Sequence, residues 1–176
     1  MEDKPQFVIR ADIKSFYKSI QHRLLIQDIR RHYDDPKVQA ILGQIITNPI
    51  ETPRGYKNAD HGIALRGPLS QFFSGLFLKP LDDAFETMDV SYLRYQDDVL
   101  ILCKTKRQLN RCRRRLMEVL HQRRLTLSSK NTRIGSIDTG FHFLGIHYLG
   151  TIPQGFSPKD QALPPSLGTL VDENKR

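Results

Sequence analysis

The stretch SYLRYQDDVLILC, residues 91–103, places two adjacent aspartates between apolar runs that are typical of buried strands. Like charges side by side in an apolar setting raise each other's pKa, and they are costly unless a positive group neutralises them. The stretch therefore predicts two short strands joined by a tight turn at or beside Asp97 and Asp98. It also predicts a cation close to that turn.

Two other Asp-Asp pairs in the chain have ordinary structural explanations. Asp34 and Asp35 precede Pro36 at the start of a predicted helix, where carboxylates cap free amides and oppose the helix dipole. Asp82 and Asp83 fall on another predicted helix beside exposed positions, where water alone is expected to solvate them. The third pair differs because it lies within apolar strands.

A divalent cation at this pair would need a partner carboxylate, because neighbouring strand residues point to opposite faces and at most one of the two aims at a common site. Asp12 ends another apolar run, FVIRAD, and no other acidic residue is placed in this way. If the first strand lies beside the hairpin, Asp12 and Asp97 converge and Mg²⁺ would offset their charge. A solvated turn at the pair with a salt bridge at Asp12 would also explain the pattern.

The net charge, the cysteine spacing and the hydropathy indicate which partners and which cellular compartment to expect. The 176 residues allow one domain with a core, and the net charge of +8 favours a polyanionic partner, with nucleic acid the leading candidate. Cys103 and Cys112 lack metal-ligand spacing, which favours a reduced, cytoplasmic setting. No segment is long and apolar enough to span a bilayer, so we expect no membrane partner.

Hydrophobic periodicity predicts elements in the order β, α, α, α, β, β, α, β, β. Residues 48–62, with two prolines and two glycines, are predicted to form a loop, and Pro80 is expected to kink or split a long helix. The segments LTLSS, TRIGSI and FHFLGIHYL are expected to complete the sheet as short strands. We therefore expect an α+β fold with a small, mostly antiparallel sheet, helices on one face, and the other face free for a substrate.

The helix expected after the hairpin begins with a capping box, in which Thr105 is followed by Gln108. One face of this helix is apolar, and the other is basic. We interpret the basic face as solvated and as a source of long-range attraction for nucleic acid.

Four stretches, in chain order, resemble motifs of reverse transcriptases. ADIKSFYKSI resembles the first palm motif, GIALRGPLSQFFSGLFLKPLDDAF the following loop and helix, RYQDDVLI the catalytic Tyr-x-Asp-Asp hairpin, and FHFLGIHY the strand that grips the primer end. The chain is most similar to the bacterial enzymes of group II introns, retrons and diversity-generating retroelements. The resemblance implies a polymerase palm that adds deoxynucleotides to a primer 3′-hydroxyl on an RNA template.

The resemblance also implies a role for each matched residue. Asp12 and Asp97 would be the principal ligands of two Mg²⁺ ions, replaceable by Mn²⁺, with the Ile13 carbonyl nearby and Asp98 as a secondary acidic group. Tyr17 would exclude a 2′-hydroxyl on the incoming sugar. The nucleotide and template side would be formed by Arg66, Gly67, Ser70, Gln71 and Lys130. The primer side would be formed by Tyr95, Gln96, Phe143, Leu144 and Gly145.

Residues 1–150 would then form the palm, and residues 151–176 a linker or truncated connection toward a thumb. Because fingers and thumb would be largely absent, we expect weak or no activity from this chain alone. Its expected partners are an RNA template, a DNA primer, a dNTP, and a missing fingers or thumb segment or an accessory protein. Two alternatives stay open: an RNA-directed RNA polymerase palm, which the bulk of Tyr17 argues against, and a non-catalytic nucleic-acid-binding palm.

Overall fold

The computed structural model describes residues 4–48, 50–52, 55–57, 59–65 and 67–149. The described strands are β1 (Phe7–Asp12), β2 (Ile50–Thr52), β3 (Gly55–Lys57), β4 (Ser91–Tyr95), β5 (Asp98–Cys103), β6 (Arg133–Ser136), β7 (Phe141–Phe143) and β8 (Ile146–Tyr148). The described helices are α1 (Phe16–Ser19), α2 (His22–His32), α3 (Pro36–Thr47), α4 (Ser70–Glu86) and α5 (Lys106–Gln122). The predicted linker, 151–176, lies outside the described residues. No described helix is long and apolar enough to cross a membrane.

The centre of the fold is a four-stranded antiparallel sheet in the order β4-β5-β1-β6. The register of β1 against β5 runs from Phe7 opposite Cys103 to Asp12 opposite Asp98. The predicted hairpin at the aspartate pair is therefore confirmed, and it lies beside the end of the first strand. The capping box of α5 is also confirmed, because the Thr105 side chain and the Gln108 side chain each bond the other residue's backbone N–H.

Alternate residues of β1 and β5 face two separate hydrophobic clusters. The larger cluster packs under the helices and includes Ile9, Ala11, Val99, Ile101 and Cys103. The smaller cluster lies on the opposite face and includes Val8, Leu100, Leu102, Ile137, Phe141 and Phe143. Helices cover one face as predicted, but the β7–β8 hairpin covers part of the face that was expected to be free.

Three strand predictions need correction. Residues 48–62 contain the β2–β3 hairpin instead of an unstructured loop. Within the described residues, β7 and β8 pair with each other in a separate two-stranded sheet and do not extend the central one. LTLSS contributes a single bridge, between Leu127 and Ile13. Gly140 precedes β7 and Gly145 lies in the β7–β8 turn, and both have positive φ angles, 69° and 79°, that glycine adopts without steric cost.

Helix α4 continues through Pro80 and is not split. Proline removes one backbone hydrogen bond and clashes with the preceding turn, which disfavours a helix interior. Here the flanking residues Phe77, Leu78 and Leu81 are fully buried. Their packing offsets the local cost of the proline, so tertiary contacts override the propensity of this position.

A buried ion pair joins the helices beneath the sheet. Asp28 Oδ2 on α2 lies 2.8 Å from Arg123 Nη2, just after α5, and the two side chains are 3% and 9% exposed. The Arg123 guanidinium also lies 4.9 Å from the centre of the Phe77 ring on α4. Removing one partner would leave an uncompensated buried charge, which is costly.

We expect Asp28→Ala to lower the free energy of unfolding by about 3–5 kcal/mol, measured by urea denaturation and circular dichroism. Arg31→Ala is the matched control, because Arg31 is 72% exposed and 4.0 Å from the same carboxylate. The control should change stability by less than about 1 kcal/mol. Equal losses in the two variants would contradict a structural role for the Asp28–Arg123 pair.

Candidate active site

Asp12, Asp97 and Asp98 lie together where β1 ends and the β4–β5 hairpin turns. Asp12 is the last residue of β1, Asp98 is the first residue of β5, and the two are register partners. Asp97 lies in the turn, and its carbonyl accepts a hydrogen bond of 3.3 Å from the backbone N–H of Ile13. The structure thus brings the three predicted carboxylates, and the Ile13 backbone, to one end of the sheet.

The turn is held in a backbone conformation that few side chains adopt. Gln96 has a φ of 54°, a left-handed value that two-residue hairpin turns require at their first central residue. The Tyr17 hydroxyl of α1 lies 3.5 Å from Gln96 Oε1, and Arg94 Nη1 donates to the Gln96 carbonyl at 2.9 Å. Contacts from α1 and β4 therefore fix the loop that carries Asp97.

Burial and mutual repulsion raise the pKa of the paired aspartates. For Asp97, partial burial is the largest cause of the raised pKa, and the charge of Asp12 adds to it. For Asp98, burial again raises the pKa most, the Arg10 guanidinium opposes it, and Asp97 and Asp12 raise it further. The cluster therefore carries an excess of negative charge that a bound cation would offset.

Arg10 neutralises part of this charge, but only at Asp98. Its Nη2 lies 3.5 Å from Asp98 Oδ1. Arg10 precedes Asp12 by two residues on β1, so both side chains lie on the face that also carries Asp98. Among the described residues, Asp97 has no cationic partner. Sequence reasoning missed Arg10, although its i, i+2 spacing before Asp12 was an available signal. The alternative explanation placed a salt bridge at Asp12, whereas the structure has one at Asp98.

The segment 126–132 borders the other side of Asp12. The backbone N–H of Ser128 donates to the Asp12 carbonyl at 2.8 Å, and Asn131 Nδ2 donates to Asp12 Oδ2 at 2.9 Å. The backbone carbonyl of Asn131 accepts a 2.5 Å hydrogen bond from Arg10 Nη1. Nothing in the sequence pattern singled out Asn131, because the contact depends on long-range pairing of this segment with β1.

Asp82 supports the turn from α4, so the prediction that it needs only water was wrong. Its Oδ1 accepts from the Tyr92 hydroxyl and from Arg94 Nε, each at 2.7 Å, and its Oδ2 lies 2.5 Å from Arg94 Nη2. Since Arg94 also holds the Gln96 carbonyl, the contacts run from α4 to the turn. The partners of Asp82 lie on β4, the next strand in the chain. The periodicity of α4 shows only which residues share a face of the helix, so it could not predict these contacts.

The remaining described residues that were predicted for the site lie in four places: near the start of α4, after α5, in the β7–β8 hairpin and at the end of β4. Ser70 begins α4 and donates to the Ala64 carbonyl, while Gly67 lies so close that an added Cβ would be 2.9 Å from Ser70 Oγ. Gln71 follows on α4, beside a groove that Tyr92 and Arg94 also line. Arg66 lies outside the described residues.

The other three places are the segment after α5, the β7–β8 hairpin and the end of β4. Lys130 is exposed and precedes Asn131. Phe143 is buried in the smaller cluster, whereas Leu144 and Gly145 form the hairpin turn with positive φ values of 49° and 79°. Tyr95 ends β4 with an exposed side chain beside Gln96.

Within the described ranges, the side chains as they are placed do not form a ready-made group of three His, Cys, Asp or Glu ligands for a metal ion. The available donors at the turn are carboxylate oxygens and a backbone carbonyl, which are the ligands that hard divalent cations prefer. In the part of the chain that the structure describes, no cationic side chain pairs with Asp97, and a neutral amide donates to the side chain of Asp12. The chemistry of the donor set therefore fits such a cation.

Comparison with known proteins identifies similar chains. The family model described as reverse transcriptase (RNA-dependent DNA polymerase) matches residues 1–148. Protein YkfC of Escherichia coli (strain K12) is 24% identical over 179 residues, which cover 82% of this chain and 47% of that protein. This chain thus spans about half the length of the curated relative.

Two telomerase structures have similar folds. Telomerase from Candida albicans, in complex with a TWJ fragment of telomeric RNA, matches with a TM-score of 0.68 and 13% identity, over 81% of this chain and 29% of that one. Apo telomerase from Candida tropicalis, truncated from the C-terminal domain, matches with a TM-score of 0.68 and 16% identity, over 82% and 34% of the two chains. The predicted α+β palm-type fold is confirmed.

Replacing Asp97 by asparagine should stabilise the metal-free protein at neutral pH. Because the folded-state pKa of Asp97 is raised above 3.8, the folded protein holds its proton more tightly, and stability falls as pH rises through that range. Thermal unfolding in chelator should therefore give a higher Tm for Asp97→Asn at pH 7. The gain should shrink as pH falls toward 3.8.

Asp89→Asn is the control for this measurement, because it removes an exposed carboxylate with the same change in net charge. It should leave Tm nearly unchanged. A lower Tm for Asp97→Asn at pH 7 would show that the charged side chain is stabilising where it lies.

Proposed function

This chain belongs to the reverse transcriptase (RNA-dependent DNA polymerase) family, and we propose that it forms the palm that adds deoxynucleotides to a primer 3′-hydroxyl on an RNA template. The observation that carries this proposal is the meeting of Asp12, Asp97 and Asp98 at the end of the central sheet. Within the described residues, Arg10 neutralises only Asp98 of these three. The remaining negative charge supports binding of a divalent cation.

Asp12 and Asp97 are the proposed ligands of two Mg²⁺ ions, which Mn²⁺ could replace. The Ile13 carbonyl and Asp98 are proposed as further oxygen donors to these ions. When bound, such ions align an attacking hydroxyl and neutralise the charge of a leaving pyrophosphate. The ion pair with Arg10 supports a secondary role for Asp98, since one of its oxygens already faces a guanidinium.

Tyr17 is the proposed sugar gate. Its ring is buried and packs edge-on against Phe16 with ring centres 5.3 Å apart, and its hydroxyl lies 3.5 Å from Gln96 Oε1. The ring is thus held in place next to the turn that carries Asp97. A fixed ring can exclude a 2′-hydroxyl by bulk alone.

The other predicted residues are proposed to position the substrates. The primer end would meet the exposed Tyr95 and the strained Gln96, and the β7–β8 turn would grip the primer through Phe143, Leu144 and Gly145. The nucleotide and template side would be formed by Arg66, Gly67, Ser70, Gln71 and Lys130. The net charge of +8 supports long-range attraction of RNA and DNA.

We propose that polymerisation needs parts of the enzyme beyond this palm. The chain covers 47% of protein YkfC and 29% and 34% of the two telomerase chains. In this proposal, residues 1–150 form the palm and residues 151–176 a connection toward a thumb. Fingers and thumb functions would come from a further segment or from an accessory protein.

Asp97→Asn should reduce primer extension at least about 100-fold, because losing roughly 3 kcal/mol of charge stabilisation corresponds to such a factor. The assay uses this palm together with the further segment or accessory protein that supplies the fingers and thumb functions, with an RNA template, a DNA primer, dNTPs and MgCl₂. An electron paramagnetic resonance titration with Mn²⁺ adds a readout that does not depend on turnover, and it should show weakened binding.

Asp83→Asn is the matched control, since Asp83 pairs with Lys79 at 2.6 Å on the exposed side of α4. It should extend primers and bind Mn²⁺ as the wild type does. If Asp97→Asn leaves both extension and Mn²⁺ binding unchanged, the catalytic role of Asp97 is wrong. A wild type that binds nucleic acid but neither extends primers nor binds Mn²⁺ would be a non-catalytic nucleic-acid-binding palm.

Tyr17→Val should increase ribonucleotide incorporation relative to deoxynucleotide incorporation by about 10- to 100-fold, because a smaller side chain leaves room for the 2′-hydroxyl. Single-nucleotide extension with matched dNTP and rNTP measures this ratio. Tyr17→Phe keeps the ring and should keep the wild-type ratio. Equal use of both nucleotides by the wild type would favour an RNA-directed RNA polymerase.

A further inference from the structure

The orientation of Asp12 depends on a segment that is distant in sequence. Leu127 forms a bridge with Ile13, and the Ser128 N–H donates to the Asp12 carbonyl at 2.8 Å. Five residues later, Arg133 opens β6 as the register partner of Arg10. The residues between these two pairing points, 129–132, therefore project beside the side chain of Asp12, and their position is fixed at both ends.

Asn131 lies within this projecting loop and contacts the Asp12 carboxylate directly. Its Nδ2 donates to Asp12 Oδ2 at 2.9 Å. A neutral amide can hold a carboxylate in one orientation without cancelling its charge, as an ammonium or guanidinium group would do. The bond occupies one lone pair of Oδ2 and leaves the negative charge of Asp12 available to a cation.

Arg10 connects Asn131 to the second carboxylate. Its Nη1 donates to the backbone carbonyl of Asn131 at 2.5 Å, and its Nη2 lies 3.5 Å from Asp98 Oδ1. The planar guanidinium has a fixed fork geometry, so one side chain ties the loop and Asp98 together. The contacts thus run from Asp12 through Asn131 and Arg10 to Asp98.

We propose that Asn131 and Arg10 are positioning residues that orient Asp12 and Asp98 before a divalent cation binds. This inference rests on the proposed function, because it assumes that Asp12 is a ligand. Neither residue needs to touch the substrate. Groups that orient metal ligands through hydrogen bonds commonly affect metal affinity by about 10- to 100-fold when they are replaced.

The test is a Mn²⁺ titration of the metal-free full chain, followed by electron paramagnetic resonance. Asn131→Ala should weaken Mn²⁺ binding by about 10- to 100-fold. Asn131→Ser, which also lacks the amide donor, should behave in the same way and serves as a second variant. Ser129→Ala is the matched control, since Ser129 is exposed in the same loop, and it should bind Mn²⁺ as the wild type does.

Arg10→Lys separates geometry from charge. Lysine keeps the positive charge but cannot reproduce the two-pronged contact with the Asn131 carbonyl and Asp98. A positioning role predicts weaker Mn²⁺ binding in this variant, whereas a purely electrostatic role predicts no change. Wild-type affinity in Arg10→Lys would remove Arg10 from the proposal.

Excess metal distinguishes positioning from general damage to the fold. High Mn²⁺ should restore primer extension in Asn131→Ala, because the ligands themselves are intact, but it should not restore Asp97→Asn. If Asn131→Ala binds Mn²⁺ as tightly as Ser129→Ala, the positioning role is wrong. If the wild type and Asp97→Asn bind Mn²⁺ alike, the metal site of the proposed function fails instead.

Discussion

The antiparallel register of β1 against β5 is the constraint on which the rest of the site depends. Because side chains alternate along a strand, a slip of one residue would exchange the two faces of β1. Ile9 and Ala11 would leave the core under the helices, and Arg10 and Asp12 would enter it. The apolar residues that flank the aspartates, rather than the aspartates themselves, therefore fix where the carboxylates lie.

The fold holds repelling carboxylates together by supporting them from several sides. Asp98 faces Arg10, Asp12 accepts from Asn131, and Gln96 next to Asp97 is held through its carbonyl by Arg94. Among the residues that the structure describes, only Arg10 brings a positive charge directly to a carboxylate of the cluster. The described contacts thus fix positions more than they neutralise charge. Such an arrangement lowers the stability of the metal-free protein and keeps the charge available to a cation.

Local sequence patterns predicted the features that depend on neighbouring residues. The hairpin at Asp97, the strand ending at Asp12 and the capping box at Thr105 each follow from spacing within a few residues. The family could also be predicted, because four stretches resemble reverse-transcriptase motifs in chain order, and the model of that family matches residues 1–148.

The contacts around the site that sequence reasoning missed join residues far apart in the chain or in different elements. Asn131 lies 119 residues from Asp12, and Arg10 lies 88 residues from Asp98. The partners of Asp82 are nearer in sequence but belong to a different element. Pro80 within α4 is a further example. The helix continues through this proline because neighbouring residues are buried against other elements, which the local sequence does not show.

The β7–β8 hairpin determines which part of the sheet a substrate could reach. Phe141 and Phe143 pack with Val8, Leu100 and Leu102, so this half of the second face is closed. Arg10 and Asp98 lie further along the same face, with side chains 25% and 28% exposed. The accessible part of the sheet is therefore the end that carries the carboxylates. The β7–β8 hairpin packs on β1 and β5, the strands that position Asp12 and Asp98. A molecule that binds to the turn of this hairpin would therefore lie at a fixed distance from those two side chains.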